Sequence, residues 1–155
     1  MKNTIAIALC MVLPTVSVAA EAGHKIEYDG GSITSIKAGT DLRLLVEPEM
    51  IRLFKDKKEV GAILPSAITE ISYGQDVHRR IGAAIGIGVF TLGIGALMAL
   101  TKSKKHFIGL TWDDAGKKGG IAFQADKKDY RGLLTGLEGV SGKRAVNSDT
   151  KTVKN

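Results

Sequence analysis

Along most of the chain, apolar and polar positions alternate with the two-residue period of half-buried strands. "HKIEYDGGSI" reads as a strand entering a turn at Asp29-Gly30-Gly31. In "DLRLLVEPEMIRLF", Leu42, Leu44 and Val46 alternate with Arg43 and Glu47 until Pro48 breaks the run, and residues 50–54 begin another strand. After the polar turn "DKKE", residues 60–64 and 68–73 give two more, parted by Pro65. Four strands joined by short connections predict an antiparallel meander. "HFIGLTW" and "GGIAFQA" predict two later strands, joined by the hairpin loop "DDAGKKGG". Asp113 and Asp114 in that loop read as solvated turn residues, because a hard-cation site needs several convergent oxygens.

The period then changes. In "DKKDYRGLLTGLEG", Tyr130, Leu133, Leu134 and Leu137 stand at i, i+3, i+4 and i+7, one face of a helix. Asp126 is the expected N-cap, with Asp129 three residues on, and Gly139 or Gly142 the expected end. Leu134 and Leu137 are expected at the centre of the buried stripe, Leu133 nearer its edge. Residues 143–155 show no apolar period and are predicted to be disordered.

One stretch departs from all of this. "HRRIGAAIGIGVFTLGIGALMALTKSKK" carries no charge between Arg80 and Lys102. As one helix, residues 81–100 would extend about 30 Å, the thickness of a bilayer hydrocarbon core. The expected membrane-inserting residues are Ile81, Ile85, Ile87, Val89, Phe90, Leu92, Ile94, Leu97 and Leu100. A single span fits the length but would put the early and late strands on opposite sides of a membrane. A helical hairpin or re-entrant loop keeps the strands together, though each arm reaches only about half the core. A buried core helix is the third arrangement, but one small sheet could hardly cover a helix that is apolar all round. Gly82, Gly86 and Gly93 fall on one stripe and Gly88 and Gly95 on another, the small-residue surfaces that let helices pack closely in lipid and self-associate. The flanking cations Arg79, Arg80, Lys102, Lys104 and Lys105, with His78, form a basic collar suited to lipid headgroups, anionic ones in particular.

Composition narrows the reading. The chain has 155 residues, enough for one domain. Its start, "MKNTIAIALCMVLPTVSVAAEAG", has Lys2, an apolar run and small residues at Ser17, Ala19 and Ala20, the form of a signal peptide over residues 1–20. Cys10 is the single cysteine and would leave with the signal. Charge is uneven: residues 21–80 hold nine Lys/Arg against ten Asp/Glu, and residues 101–155 hold twelve against six. Few aromatics interleave with these lysines, so nucleic acid is not the expected partner; lipid headgroups are. His24, His78 and His106 have no metal-ligand spacing, no nucleophile motif is present, and the G-x-G pairs lie inside apolar sequence. No catalytic residue, metal or cofactor is expected. His78 reads as part of the collar, His106 as a surface residue at a strand start.

The order of strands followed by one amphipathic helix, in "IRLFKDKKEVGAILPSAITEISYG" and "KKHFIGLTWDDAGKKGGIAFQADKKDYRGLLTGLEG", resembles the pleckstrin-homology-like and GRAM-like domains. That resemblance implies a mainly β fold (α+β): a bent antiparallel sheet or partial barrel closed by a C-terminal amphipathic helix. It would span residues 24–142, interrupted at 81–100 by the hydrophobic helical or hairpin insertion. The phosphoinositide-binding basic loop of the family has no counterpart here. The expectation is an exported, non-enzymatic binding or scaffolding module of the cell envelope, periplasmic and membrane-associated. The alternatives are a bitopic protein with a basic cytoplasmic tail, or a membrane oligomer or pore driven by small residues.

Overall fold

The structure, a computed structural model, describes residues 23–85 and 106–149. The described residues hold eight strands: β1 (His24–Gly31), β2 (Thr40–Val46), β3 (Ile51–Lys55), β4 (Lys58–Ile63), β5 (Ile68–Tyr73), β6 (His106–Asp114), β7 (Lys117–Ala125) and β8 (Ala145–Asn147). Helix α1 (Val77–Ile85) follows β5, and helix α2 (Tyr130–Ser141) lies between β7 and β8. The strands form one mixed sheet in the order β4-β3-β2-β1-β7-β6-β5-β8, with β4 and β8 at its edges.

The predicted four-strand meander is therefore divided. β2, β3 and β4 pair in succession, but β5 leaves them and pairs with β6. Pro65 marks the departure. It opens a 3-10 turn (Pro65–Ala67) between β4 and β5, where its missing N–H costs nothing. The two halves meet where β1 pairs with β7. β6 and β7 form a long hairpin over Ala115 and Gly116, whose φ angles of 50° and 85° suit the twist of a two-residue turn.

One face of the sheet carries the main core. Ile26, Tyr28, Leu44, Leu53, Ile71, Ile108, Leu110, Ile121 and Phe123 meet there, joined by Leu133 and Leu137 of α2. Tyr28 is 1% exposed and its hydroxyl donates to the Ile33 carbonyl at 3.2 Å; burial pushes its pKa up to about 12.

Helix α2 differs from expectation in two details. It begins at Tyr130 with Asp129 at the N-cap, because Asp126 is spent on a preceding turn, where its carbonyl accepts from the amides of Asp129 and Tyr130. Leu133 and Leu137 are both fully buried, while Leu134 is only partly so. Leu133 and Leu137, four residues apart, stand on the face turned to the sheet, and Leu134 lies to one side of it. The helix ends at Gly142 with φ of 68°, a left-handed cap.

Beyond that cap the chain is not featureless. β8 lies in the stretch predicted to be disordered. It runs parallel to β5, pairing Ile71 with Ala145 and Tyr73 with Asn147. Its backbone is tied down at both ends: the Ala145 amide donates to Glu138 Oε1 at 2.6 Å, and the Ser148 amide to the Tyr73 carbonyl at 2.7 Å. A three-residue edge strand is too short to show a period, so only the pairing reveals it.

Candidate functional site

The other face of β5, β6 and β7 is where the apolar run of the sequence meets the domain. Along β6 and β7 burial is continuous from Phe107 to Thr111 and from Gly119 to Phe123. Both faces of these strands are covered. On the second face the residues are small: Gly109 of β6, and Gly120 and Ala122 of β7. They form a shallow seat for α1. Val77 and Ile81 are fully buried on it, together with Phe107 and Ala122, and Ile85 packs alongside. The fit leaves no room for a side chain beneath. A Cβ at Gly109 would stand 2.5 Å from Val77 Cγ1 and 2.8 Å from Ile81 Cδ1, and one at Gly120 would stand 2.6 Å from Ile81 Cγ2.

A polar pair lies at the start of this seat. The Asp29 carboxylate meets His78 Nε2 at 2.8 Å, with the two side chains 5% and 11% exposed. β1 brings Asp29 there through a bulge: Tyr28 stands opposite Phe123 and Gly30 opposite Ala122, so Asp29 is the extra residue. The His78 ring sits edge-on to Phe107, centroids 5.2 Å apart. Gln124, the cross-strand neighbour of both Glu27 and Phe107, has a buried Oε1 without a hydrogen-bond partner among the described residues. The pair ties α1 to β1.

Ser148 and Asp149, just past β8, hold the entry to the helix. Asp149 Oδ1 accepts from the Gln75 amide at 2.6 Å and from the Asp76 amide at 3.3 Å, and Ser148 Oγ accepts from the Asp76 amide at 3.2 Å. These are capping contacts for amides just ahead of α1 that have no partner within the helix. Gly74, with φ of 123°, permits the approach: a Cβ there would lie 2.5 Å from Ser148 Oγ.

Next to this cap is a cleft of 340 Å³, lined by Tyr73, His106, Phe107 and Tyr130, with Gln75, Asn147 and Asp149 at its polar side. His106, the first residue of β6, stacks flat on Tyr130 at a centroid distance of 4.0 Å. Arg131 Nε donates to the Tyr130 hydroxyl at 3.1 Å.

The residues singled out in the sequence are thus divided. Ile81, expected to insert in a membrane, is fully buried against the sheet instead, because the glycine seat accepts it. Ile85 and Gly82 are half-buried on the same helix. Arg79 is exposed, whereas Arg80 lies 3.3 Å from Glu70 Oε1. His78, read as part of the collar, faces Asp29 in the interior. Ile87, Val89, Phe90, Leu92, Ile94, Leu97, Leu100, Gly86, Gly88, Gly93, Gly95, Lys102, Lys104 and Lys105 lie outside the described residues. Among the described residues no helix is long and apolar enough to cross a membrane. Sequence reasoning missed Asp29, Gly109, Gly120 and Asp149. The small residues at alternate strand positions, Gly120 and Ala122 in "GIAF" facing "IGLT", were the one available signal. Compared with known proteins, the chain matches no protein-family model and no curated protein.

Proposed function

We propose that the protein is a non-enzymatic binding or scaffolding module of the cell envelope, exported by residues 1–20. Its pleckstrin-homology-like β-domain is closed by α2 and held at a membrane surface by the apolar run. The observation that carries this reading is strand pairing across the run. β5 precedes it and β6 follows it, yet the two are neighbours, and β1 pairs with β7 in the same way. A bilayer between them would leave both halves with open edges. The run therefore leaves and rejoins the domain on one side of the membrane.

Length supports the same reading. Helix α1 takes residues 81–85, which leaves 15 residues, 86–100, before Lys102. As a helix these would extend about 22 Å, short of the roughly 30 Å of a hydrocarbon core. The bitopic alternative needs a full span and has no such length to spare.

The test is fractionation combined with protease accessibility. The full-length protein is expected to sediment with membranes and to resist high salt and carbonate. Its C-terminal tail is expected to be cleaved by protease added to cells stripped of their outer layer. Quantitative recovery in the soluble fraction would end the proposal, and a protected tail would favour the bitopic form.

A further inference from the structure

We propose that the segment from β8 to Asp149 is a releasable latch on α1: strand and helix open and close as one unit, ahead of the sheet on which both rest. The strand is built to let go. It has three residues, against six in β5 and nine in each of β6 and β7. It lies at the sheet edge and pairs parallel to β5, the slightly weaker geometry per residue. Its middle residue, Val146, is 39% exposed, and residues 142–144, which lead into it from α2, are all exposed. Segments with few buried apolar contacts open locally before the rest of a fold.

The contacts of this segment reach two elements at once. The Ser148 amide donates to the Tyr73 carbonyl at the end of β5. One residue on, Asp149 Oδ1 accepts from the Gln75 amide, and it shares the Asp76 amide with Ser148 Oγ. The acceptors are tied to each other: the Ser148 hydroxyl donates to Asp149 Oδ1 at 3.3 Å, and the Asp149 amide to Asn147 Oδ1 at 2.9 Å. β8 therefore cannot leave β5 without taking the acceptors of the amides ahead of α1. In the other direction, an unseated α1 carries Gln75 and Asp76 away from Asp149. A coupling of this kind is reciprocal.

Helix α1 is also held by the glycine seat and by Asp29 at His78. Those holds come from β1, β6 and β7 inside the sheet; the latch comes from an edge strand. The apolar run continues from α1 in the sequence, so the latch governs how firmly the start of that run is tied to the domain. The latch itself rests on the strand and helix contacts alone, not on the membrane attachment proposed above.

The test is native-state amide exchange on the full chain, purified in an uncharged detergent and read by NMR. In the wild type, the amides of α1 and the Ser148 amide are expected to share one level of protection, about tenfold or more below that of β6 and β7. Asp149→Ala removes the shared acceptor and is expected to lower protection through α1 about tenfold, the size of a lost helix cap, with β6 and β7 unchanged. Asp149→Asn keeps an oxygen at that position and is expected to restore most of the protection. Ile81→Ala acts from the far end, where Ile81 lies over Gly120. It is expected to lower protection of the Ser148 amide as much as that of α1. Because emptying a buried position could loosen the sheet as well, Asp29→Ala, which acts on α1 through His78 alone, is the second variant for this arm and carries the same expectation. A cap without coupling would leave the Ser148 amide unmoved by both. That result, wild-type protection in α1 equal to that in β6 and β7, or an Asp149→Ala variant with α1 unchanged would each overturn the proposal.

Discussion

The β2–β3 region and the β6–β7 region are parts of one sheet, yet they obey different rules. In β2, buried Leu42 and Leu44 alternate with exposed Asp41 and Arg43, the mark of a strand with one covered face. In β6 and β7 five consecutive residues are buried, because α1 covers the second face. The coverings also differ in kind. The shared inner face is packed with large side chains, Leu133 and Leu137 among the strand residues of the main core. The second face is sealed by the removal of side chains, Gly109, Gly120 and Ala122 making way for Val77 and Ile81. The first arrangement supplies stability. The second buries only a few residues and fixes where one helix sits, and that helix is the one leading into the apolar run.

The comparison is broken most forcefully from the inner face. Leu137→Ala and Leu133→Ala each empty a fully buried position. Each is expected to cost about 2–5 kcal/mol, seen as a lower melting temperature and a lower denaturation midpoint. Leu134→Ala, at a partly buried position, is expected to cost less than either. If Leu134→Ala were the most damaging of the three, α2 would pack by the face first expected from its spacing.

Tyr28 tests the same face through pH. Its folded pKa of about 12 lies above the ordinary tyrosine value of about 10. The fold therefore favours the neutral phenol. That contribution is fully present below pH 10 and is lost as pH rises from 10 through 12. Stability is expected to fall by roughly 1.4 kcal/mol per pH unit across that window, on top of any general alkaline loss. Tyr28→Phe is expected to flatten this slope, measured as denaturation midpoints between pH 9 and 12. An unchanged slope would show that Tyr28 is not the group responsible.

On the second face the expected effects are smaller and local. Gly109→Ala puts a methyl group where Val77 and Ile81 lie, an overpacking that costs roughly 1–3 kcal/mol. Asp29→Ala leaves His78 facing a vacated acceptor in a covered site, at about 1–3 kcal/mol. In both variants, amide exchange is expected to quicken in α1 and to remain slow in β6 and β7. Uniform loss of protection through the whole sheet would mean that the two faces fold as one unit.

The same contrast explains what could be read from the chain. One-sided strands announce themselves by alternation, so Leu42, Leu44 and Val46 marked β2 and its neighbours without help. The leucine spacing marked α2. The second face is silent in that code. Gly109 and Gly120 look like weak strand residues until the helix above them is known, and Asp29 looks like part of a glycine turn until the bulge aims it at His78. The seat depends on contacts between β1, β7 and α1, whose members are 29, 78 and 120 in the numbering, too far apart for any local period to link. The apolar run drew a boundary at Ile81 by composition alone, and the tertiary seat moved that boundary to Ile85.

The smallest effect concerns the two arginines on α1, which composition treats as equivalent. Arg80 reaches Glu70 at 3.3 Å, its side chain 26% exposed, while Arg79 is exposed. A pair this accessible contributes on the order of 0–1 kcal/mol, so Arg80→Gln is expected to shift melting little. Its consequence is electrostatic. Glu70 already offsets the Arg80 charge, and a cation near an anionic surface is worth about 1 kcal/mol only when it is free to act on that surface. In flotation with vesicles of rising phosphatidylglycerol content, Arg79→Gln is therefore expected to weaken binding several-fold. Arg80→Gln is expected to weaken it less, and both differences are expected to shrink in high salt. Equal losses from the two variants would mean that the Glu70 contact gives way at the membrane and that both arginines meet the headgroups. If neither variant changed binding, α1 would face away from the lipid and serve only to hold the apolar run against the sheet.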